Sequence, residues 1–86
     1  MTEGLVELGL SAGEKVRFQR ADRSRWQDGV VLRREKDGSI GLRDSDGRIR
    51  AVPVASVEVR VTGPRGGPTW EPLAERAGRI EQLKLL

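Results

Sequence analysis

Five short apolar runs between Lys15 and Val61 constrain this chain more than any other feature of its sequence. The runs read KVRF, WQDGVVLR, SIGLRD, RIRAVP and VEVRV, with Asp-Gly turns at Asp37-Gly38 and Asp46-Gly47. The connections between the runs are too short for helical crossovers, so neighbouring strands must pair as antiparallel hairpins. The pattern therefore predicts a mainly β fold in which five strands form a small barrel, with a single 3₁₀ turn at Val54-Ala55-Ser56.

The remaining sequence divides the chain into four segments. They are a lead-in over residues 1–14, the barrel over 15–62, a hinge over 63–68 and a C-terminal helix over 69–86. The sequence GPRGGP indicates the hinge, and Thr69 is a suitable N-cap for the helix. The apolar stripe of this amphipathic helix consists of Trp70, Leu73, Ala77 and Ile80. A helix of this length needs a surface to pack on, which is either its own barrel or another protein.

Composition excludes several classes of function. The 86 residues include no Cys and no His, so thiolate and imidazole ligands and the usual nucleophile-base pairs are absent. We therefore expect no enzymatic activity, no metal and no cofactor. The chain has no apolar stretch of membrane-spanning length, and the first fourteen residues are acidic where a signal peptide would be basic. We expect a cytoplasmic monomer that does not associate with a membrane.

Positive charge is concentrated in the predicted barrel. Thirteen basic and seven acidic residues lie between Lys15 and Arg65, although the net charge of the whole chain is only +3. Such a distribution favours a polyanionic partner. The alternative is an ordinary solvated surface that is rich in arginine.

Loop lengths set the strand register, and the register decides which arginines share a face. A two-residue loop at Asp46-Gly47 pairs Arg43 with Arg50. A three-residue loop over 37–39 pairs Arg33 with Arg43 and keeps most apolar side chains on one face. The predicted result is an outward row of arginines across the central three strands.

This predicted row consists of Arg33, Arg43 and Arg50, with Arg48 close by. Planar guanidinium groups match phosphate oxygens with paired hydrogen bonds, so the row is our first candidate for contact with a nucleic-acid backbone. Such a surface would give little sequence specificity. One conflict remains, because the same register turns Arg34 toward the apolar face.

A second candidate nucleic-acid site lies in the loop before the second strand. It consists of Arg20, Arg23, Arg25 and Trp26. Aromatic rings beside cationic side chains are typical of surfaces that hold single-stranded nucleic acid. Phe18 and Trp70 are the only other aromatic residues, so the stacking platform is small. A tryptophan at the start of a strand, such as Trp26, more often belongs to the core or its rim than to a ligand site.

The order of the turn and strand residues resembles an SH3-like barrel of the Tudor or KOW kind. The matching residues are Gly13-Glu14-x-Val16-x-Phe18, Trp26-x-Asp28-Gly29-Val30-Val31, Asp37-Gly38-Ser39-Ile40 and Asp44-x-Asp46-Gly47. The resemblance covers about 50 of the 86 residues and implies binding of RNA, DNA, modified peptides or proteins. It also implies an aromatic cage, but Leu42 and Ala51 stand where further aromatic walls would be needed beside Trp26. The whole chain further resembles small proteins of GC-rich bacteria, which implies no activity.

Two functions follow as hypotheses. The first is a non-enzymatic module that binds DNA or RNA through the arginines above with low sequence specificity. The second is an adapter that docks on a protein of a nucleic-acid-processing complex. It would use either the barrel groove beside Trp26 or the helix stripe of Trp70, Leu73, Ala77 and Ile80.

Overall fold

An antiparallel sheet of six strands forms most of the protein, whose computed structural model describes residues 4–20 and 25–84. The strands are β1 (Lys15–Phe18), β2 (Gln27–Arg34), β3 (Ile40–Asp44), β4 (Ile49–Val52), β5 (Val57–Thr62) and β6 (Pro68–Pro72). Their order in the sheet is β4-β3-β2-β1-β5-β6, and the sheet does not close on itself. The helix α1 (Leu73–Lys84) follows the last strand. The predicted mainly β class with a C-terminal helix is confirmed, as is the 3₁₀ turn at Val54–Ser56.

The sixth strand lies where the sequence predicted a hinge and the start of the helix. The Gly63 N–H donates to the Gly67 carbonyl at 2.7 Å, so this glycine-rich segment forms the loop of a hairpin between β5 and β6. The helix consequently begins at Leu73, four residues later than predicted. Pro68 and Pro72 are tolerated in β6 because it is an edge strand, where a missing N–H need not cost a ladder bond.

The core lies between the inner face of the sheet, the N-terminal segment and the helix. Its buried members are Leu5, Leu8, Leu10, Val16, Phe18, Val31, Ile40, Leu42, Val52, Val57, Val59 and Leu73. The helix packs on the 3₁₀ turn at Val6–Leu8 and is held there by Arg76, which donates to the Gly9 carbonyl at 3.1 Å and to the Glu14 carboxylate at 2.8 Å. In the described ranges, no helix has the length and apolar character that crossing a membrane requires.

The hairpin between β3 and β4 differs from the predicted register by one residue. Its loop is three residues long, because the Asp44 N–H donates to the Arg48 carbonyl at 2.9 Å. The Asp44 side chain also accepts the N–H groups of Asp46 and Arg48, each at 2.9 Å, and so builds the turn. Arg43 therefore lies opposite Ile49 and not Arg50. A shift of one residue turns each side chain of β4 to the other face.

The hairpin between β2 and β3 has the predicted odd loop length, but its loop lies one residue earlier. The Glu35 N–H donates to the Ser39 carbonyl at 2.8 Å, which leaves residues 36–38 as the loop. This loop position places Arg33 opposite Gly41 and not Arg43. A bulge between Val31 and Arg33 then shifts the register by one residue, so Val31 lies opposite Leu42 and Val30 lies opposite Arg43.

Arg34 lies on the inner face at the end of β2, as the predicted conflict required. It is opposite the buried Ile40. Its guanidinium donates to the carbonyl groups of Gly38 and Gly4, each at 3.2 Å. An arginine is accommodated on this face because it lies at the rim, where it binds the loop between β2 and β3 to the N-terminal segment.

Candidate nucleic-acid interface

The predicted row of Arg33, Arg43 and Arg50 does not form. Arg33 remains on the outer face but pairs with Glu35 at 3.0 Å. Arg50 lies on the inner face opposite Leu42 and binds the buried carboxylate of Asp44 at 2.6 Å. This prediction was wrong because both hairpin loops were assigned to the wrong residues.

The ion pair of Arg50 belongs to the turn that it adjoins. Its hydrogen bond, together with the N–H groups of Arg48 and Asp46, holds the pKa of Asp44 below its usual range. Arg48 itself is exposed beside this turn. Arg50 thus has a structural role. Of the predicted arginines on β3 and β4, Arg43 remains as an exposed cation on the outer face.

The register that forms creates a different line of residues on the outer face. Lys15 of β1 lies opposite Val30 of β2, and Val30 lies opposite Arg43 of β3. Arg43 in turn lies opposite Ile49 of β4, which is 59% exposed. Cross-strand partners share a face of a sheet, so these four side chains lie side by side on the outside.

The same line continues through the other half of the sheet. Val16 lies opposite Val59, so the residues adjoining this pair, Lys15 and Arg60, are neighbours on the opposite face. Arg60 lies opposite Trp70 of β6. We call Lys15, Arg43 and Arg60 the basic row. Among the residues that the structure describes, none of the three has a carboxylate partner, whereas six other arginines do.

Both tryptophans of the chain stack on one arginine beside the basic row. The guanidinium carbon of Arg17 lies 4.6 Å from the ring centroid of Trp26 and 4.8 Å from that of Trp70. Arg17 also binds the carboxylate of Glu58 through Nε, at 2.7 Å, and through Nη2. We call Trp26, Arg17 and Trp70 the tryptophan stack. The guanidinium of Arg60 approaches the Trp70 ring at 5.8 Å.

Trp26 is the member of the second predicted site that belongs to this stack. Arg20 is exposed after the end of β1, and Arg25 is exposed immediately before Trp26, while Arg23 lies outside the described residues. Sequence reasoning missed Trp70 as a neighbour of Trp26 because it assigned Trp70 to the helix. The glycine-rich loop between two short runs was the available signal for a hairpin.

The stripe predicted for an adapter is divided between two parts of the fold. Trp70 lies on β6, while Leu73 is fully buried in the core and Ala77 packs against it. Ile80 lies against Gly9, where a Cβ atom would come within 2.3 Å of its Cδ1. The three helical residues of the stripe thus pack within the same chain, while Trp70 lies on the outer face of the sheet.

No group of three or more acidic side chains in the described ranges is arranged to hold a metal ion. Comparison of the chain with protein-family models, with curated proteins and with solved structures finds no match.

Proposed function

We propose that this chain is a non-enzymatic module that binds the phosphate backbone of nucleic acid through the basic row, with low sequence specificity. The observation that carries the proposal is the alignment of Lys15, Arg43 and Arg60 on one face with no described carboxylate partner. Neighbouring strands lie about 4.8 Å apart, so the row extends across three strand spacings, or about 14 Å. A phosphate backbone is a repeating anion that such a row can follow.

The charge balance of the surface supports the same proposal. The ion pairs of this fold occupy six of the described carboxylates. Between Lys15 and Arg65, eight described basic side chains have no carboxylate partner, against three described acids without a basic one. These bases are Lys15, Arg20, Arg25, Lys36, Arg43, Arg48, Arg60 and Arg65, and these acids are Asp28, Asp37 and Asp46. The unpaired side chains of this segment thus leave an excess of five positive charges, which favours a polyanionic partner.

We also propose that the sheet is an open variant of the SH3-like barrel of the Tudor or KOW kind. Two features support this assignment: the strand order β4-β3-β2-β1-β5, and the 3₁₀ turn that connects β4 to β5. β6 would then be an addition that widens the outer face and contributes Trp70 to it.

Charge reversals within and outside the basic row test the proposed function. Arg43→Glu and Arg60→Glu each change the net charge by two at the row. Lys36→Glu and Arg65→Glu make the same change at exposed positions that lie in hairpin loops. Affinity for a labelled oligonucleotide and for a duplex is measured at low salt. We expect the two row variants to bind at least tenfold more weakly than the two loop variants.

If the wild-type protein binds neither the single-stranded oligonucleotide nor the duplex at low salt, the proposed function is wrong. If all four variants lose affinity equally, the binding depends on net charge, and the basic row is not the interface.

A further inference from the structure

We infer that the tryptophan stack is a binding site for an unpaired nucleobase, so that the protein prefers single strands to duplexes. This inference rests on the proposed function and names the class of nucleic acid that the site would take. Its starting point is that Trp26, at 39% exposure, is the most exposed aromatic side chain among the described residues.

The position of the Trp26 ring is fixed before any ligand arrives. Arg17 stacks on the ring at 4.6 Å, and Glu58 holds the Arg17 guanidinium through two of its nitrogen atoms. Trp70 stacks on the same guanidinium at 4.8 Å. A side chain that is already ordered loses little conformational freedom on binding, and a base can stack on it at low entropic cost.

The charges around the stack select against a cationic ligand. Arg17 already provides the cation for both rings, and Arg60 lies 5.8 Å from the Trp70 ring. Arg25 is exposed next to Trp26 in the chain. A methylated lysine or arginine from a partner would meet these positive charges. The acids opposite Arg17 on the two neighbouring strands are Glu58, which Arg17 occupies, and Asp28. A neutral planar group is favoured, and a base with an attached phosphate fits best.

The basic row supplies the contact for that phosphate. Arg60 belongs to the row and also approaches Trp70, so the base site and the phosphate site share a residue. A strand that stacks a base on the Trp26 ring would therefore place its backbone toward Arg60 and Lys15. In a duplex the bases are stacked on one another and are unavailable to the ring. The predicted ligand is thus a single strand with accessible bases.

The test compares three ligands of equal length with the intact protein: oligo(dT), an abasic strand with the same phosphates, and a duplex. Both tryptophans of the chain belong to the stack, so their fluorescence reports on the site directly. We expect oligo(dT) to quench this fluorescence and to bind roughly 5- to 150-fold more tightly than the abasic strand, the range for one stacked base. The Trp26→Ala variant should bind the two strands equally. Ile49→Ala is the matched control, since it removes an exposed apolar side chain from the other end of the same face.

The outcomes separate this inference from the proposed function. If oligo(dT) and the abasic strand bind the wild-type protein equally, the inference is overturned while phosphate binding stands, and this comparison needs no variant to fold. Equal affinity for oligo(dT) and for the duplex would likewise overturn the inference and leave phosphate binding in place. If none of the three ligands binds at low salt, the proposed function fails and the inference fails with it.

Discussion

Replacing Leu73 with alanine tests whether the C-terminal helix packs on its own chain. Leu73 is 0% exposed and, among the α1 residues whose side chains are described, it is the one that belongs to the buried core. The change removes three carbon atoms, which at about 0.8 kcal/mol each gives about 2.4 kcal/mol of lost transfer free energy. A residual cavity raises the expected loss to about 3 kcal/mol, within the range of about 2–5 kcal/mol for such substitutions. For a domain of this size, the loss corresponds to a melting temperature lowered by roughly 12–24 °C.

Leu83→Ala is the matched control in the same helix, because Leu83 is 68% exposed. We expect it to change the free energy of unfolding by less than about 0.5 kcal/mol. Urea and thermal unfolding, followed by far-UV circular dichroism, measure both variants. If Leu73→Ala is no more destabilising than Leu83→Ala, the helix does not pack as described. Its apolar stripe would then be free for a partner, as the adapter hypothesis requires.

Two further predictions concern stability. The pKa of Asp44 is lowered by its hydrogen bond to Arg50 and then by backbone N–H groups. Its contribution to the free energy of unfolding is therefore complete above the ordinary aspartate pKa and is lost as the pH falls below about 4. In urea titrations between pH 2 and 7, the Asp44→Asn variant should lose less stability on acidification than the wild-type protein. Gly9→Ala should lower the free energy of unfolding by more than Gly13→Ala: both residues have positive φ, but only at Gly9 would the new Cβ meet Ile80, whereas nothing lies within 4 Å at Gly13. Equal losses at the two glycines would contradict the packing of α1 on the N-terminal segment.

The strands were predictable from the sequence because alternation and turn residues act locally. The runs from Lys15 to Val61 form the five predicted strands, and the connection at Val54–Ser56 is the predicted 3₁₀ turn. The inward position of Arg34 also followed from the pattern. Two hydrogen bonds to the carbonyl groups of Gly38 and Gly4 stabilise Arg34 in this position. The bond to Gly4 depends on a tertiary contact that the sequence pattern does not predict.

The binding face was not predictable in the same way, because it depends on register. An Asp-Gly pair marks the position of a turn but does not fix the length of the loop. After β3, the loop length is set by the Asp44 side chain, two residues before the Asp46-Gly47 pair, which accepts the N–H groups of Asp46 and Arg48. One residue of error was enough to exchange Arg50 for Ile49 as the outward neighbour of Arg43. The displaced loop after β2 had a comparable effect on Arg33, and the bulge in β2 placed Val30 opposite Arg43.

Trp70 was misassigned for a different reason. The spacing of Trp70, Leu73, Ala77 and Ile80 fits a helix, and the last three do lie on α1. Pairing with β5 overrides that pattern at Trp70, since residues 68–72 all lie opposite residues of β5 and share ladder hydrogen bonds with them. This long-range pairing brings Trp70 to Arg17 and so to Trp26.

The salt dependence of oligonucleotide binding tests the basic row most directly. If Lys15, Arg43 and Arg60 each neutralise one phosphate of a single strand, log affinity should fall against log salt with a slope of about −2. Arg43→Gln should make the slope less steep by about 0.7, while Lys36→Gln, at an exposed loop position, should leave it unchanged. Equal slopes for the wild-type protein and both variants, or affinity that does not depend on salt, would contradict the assignment of this face as the phosphate site.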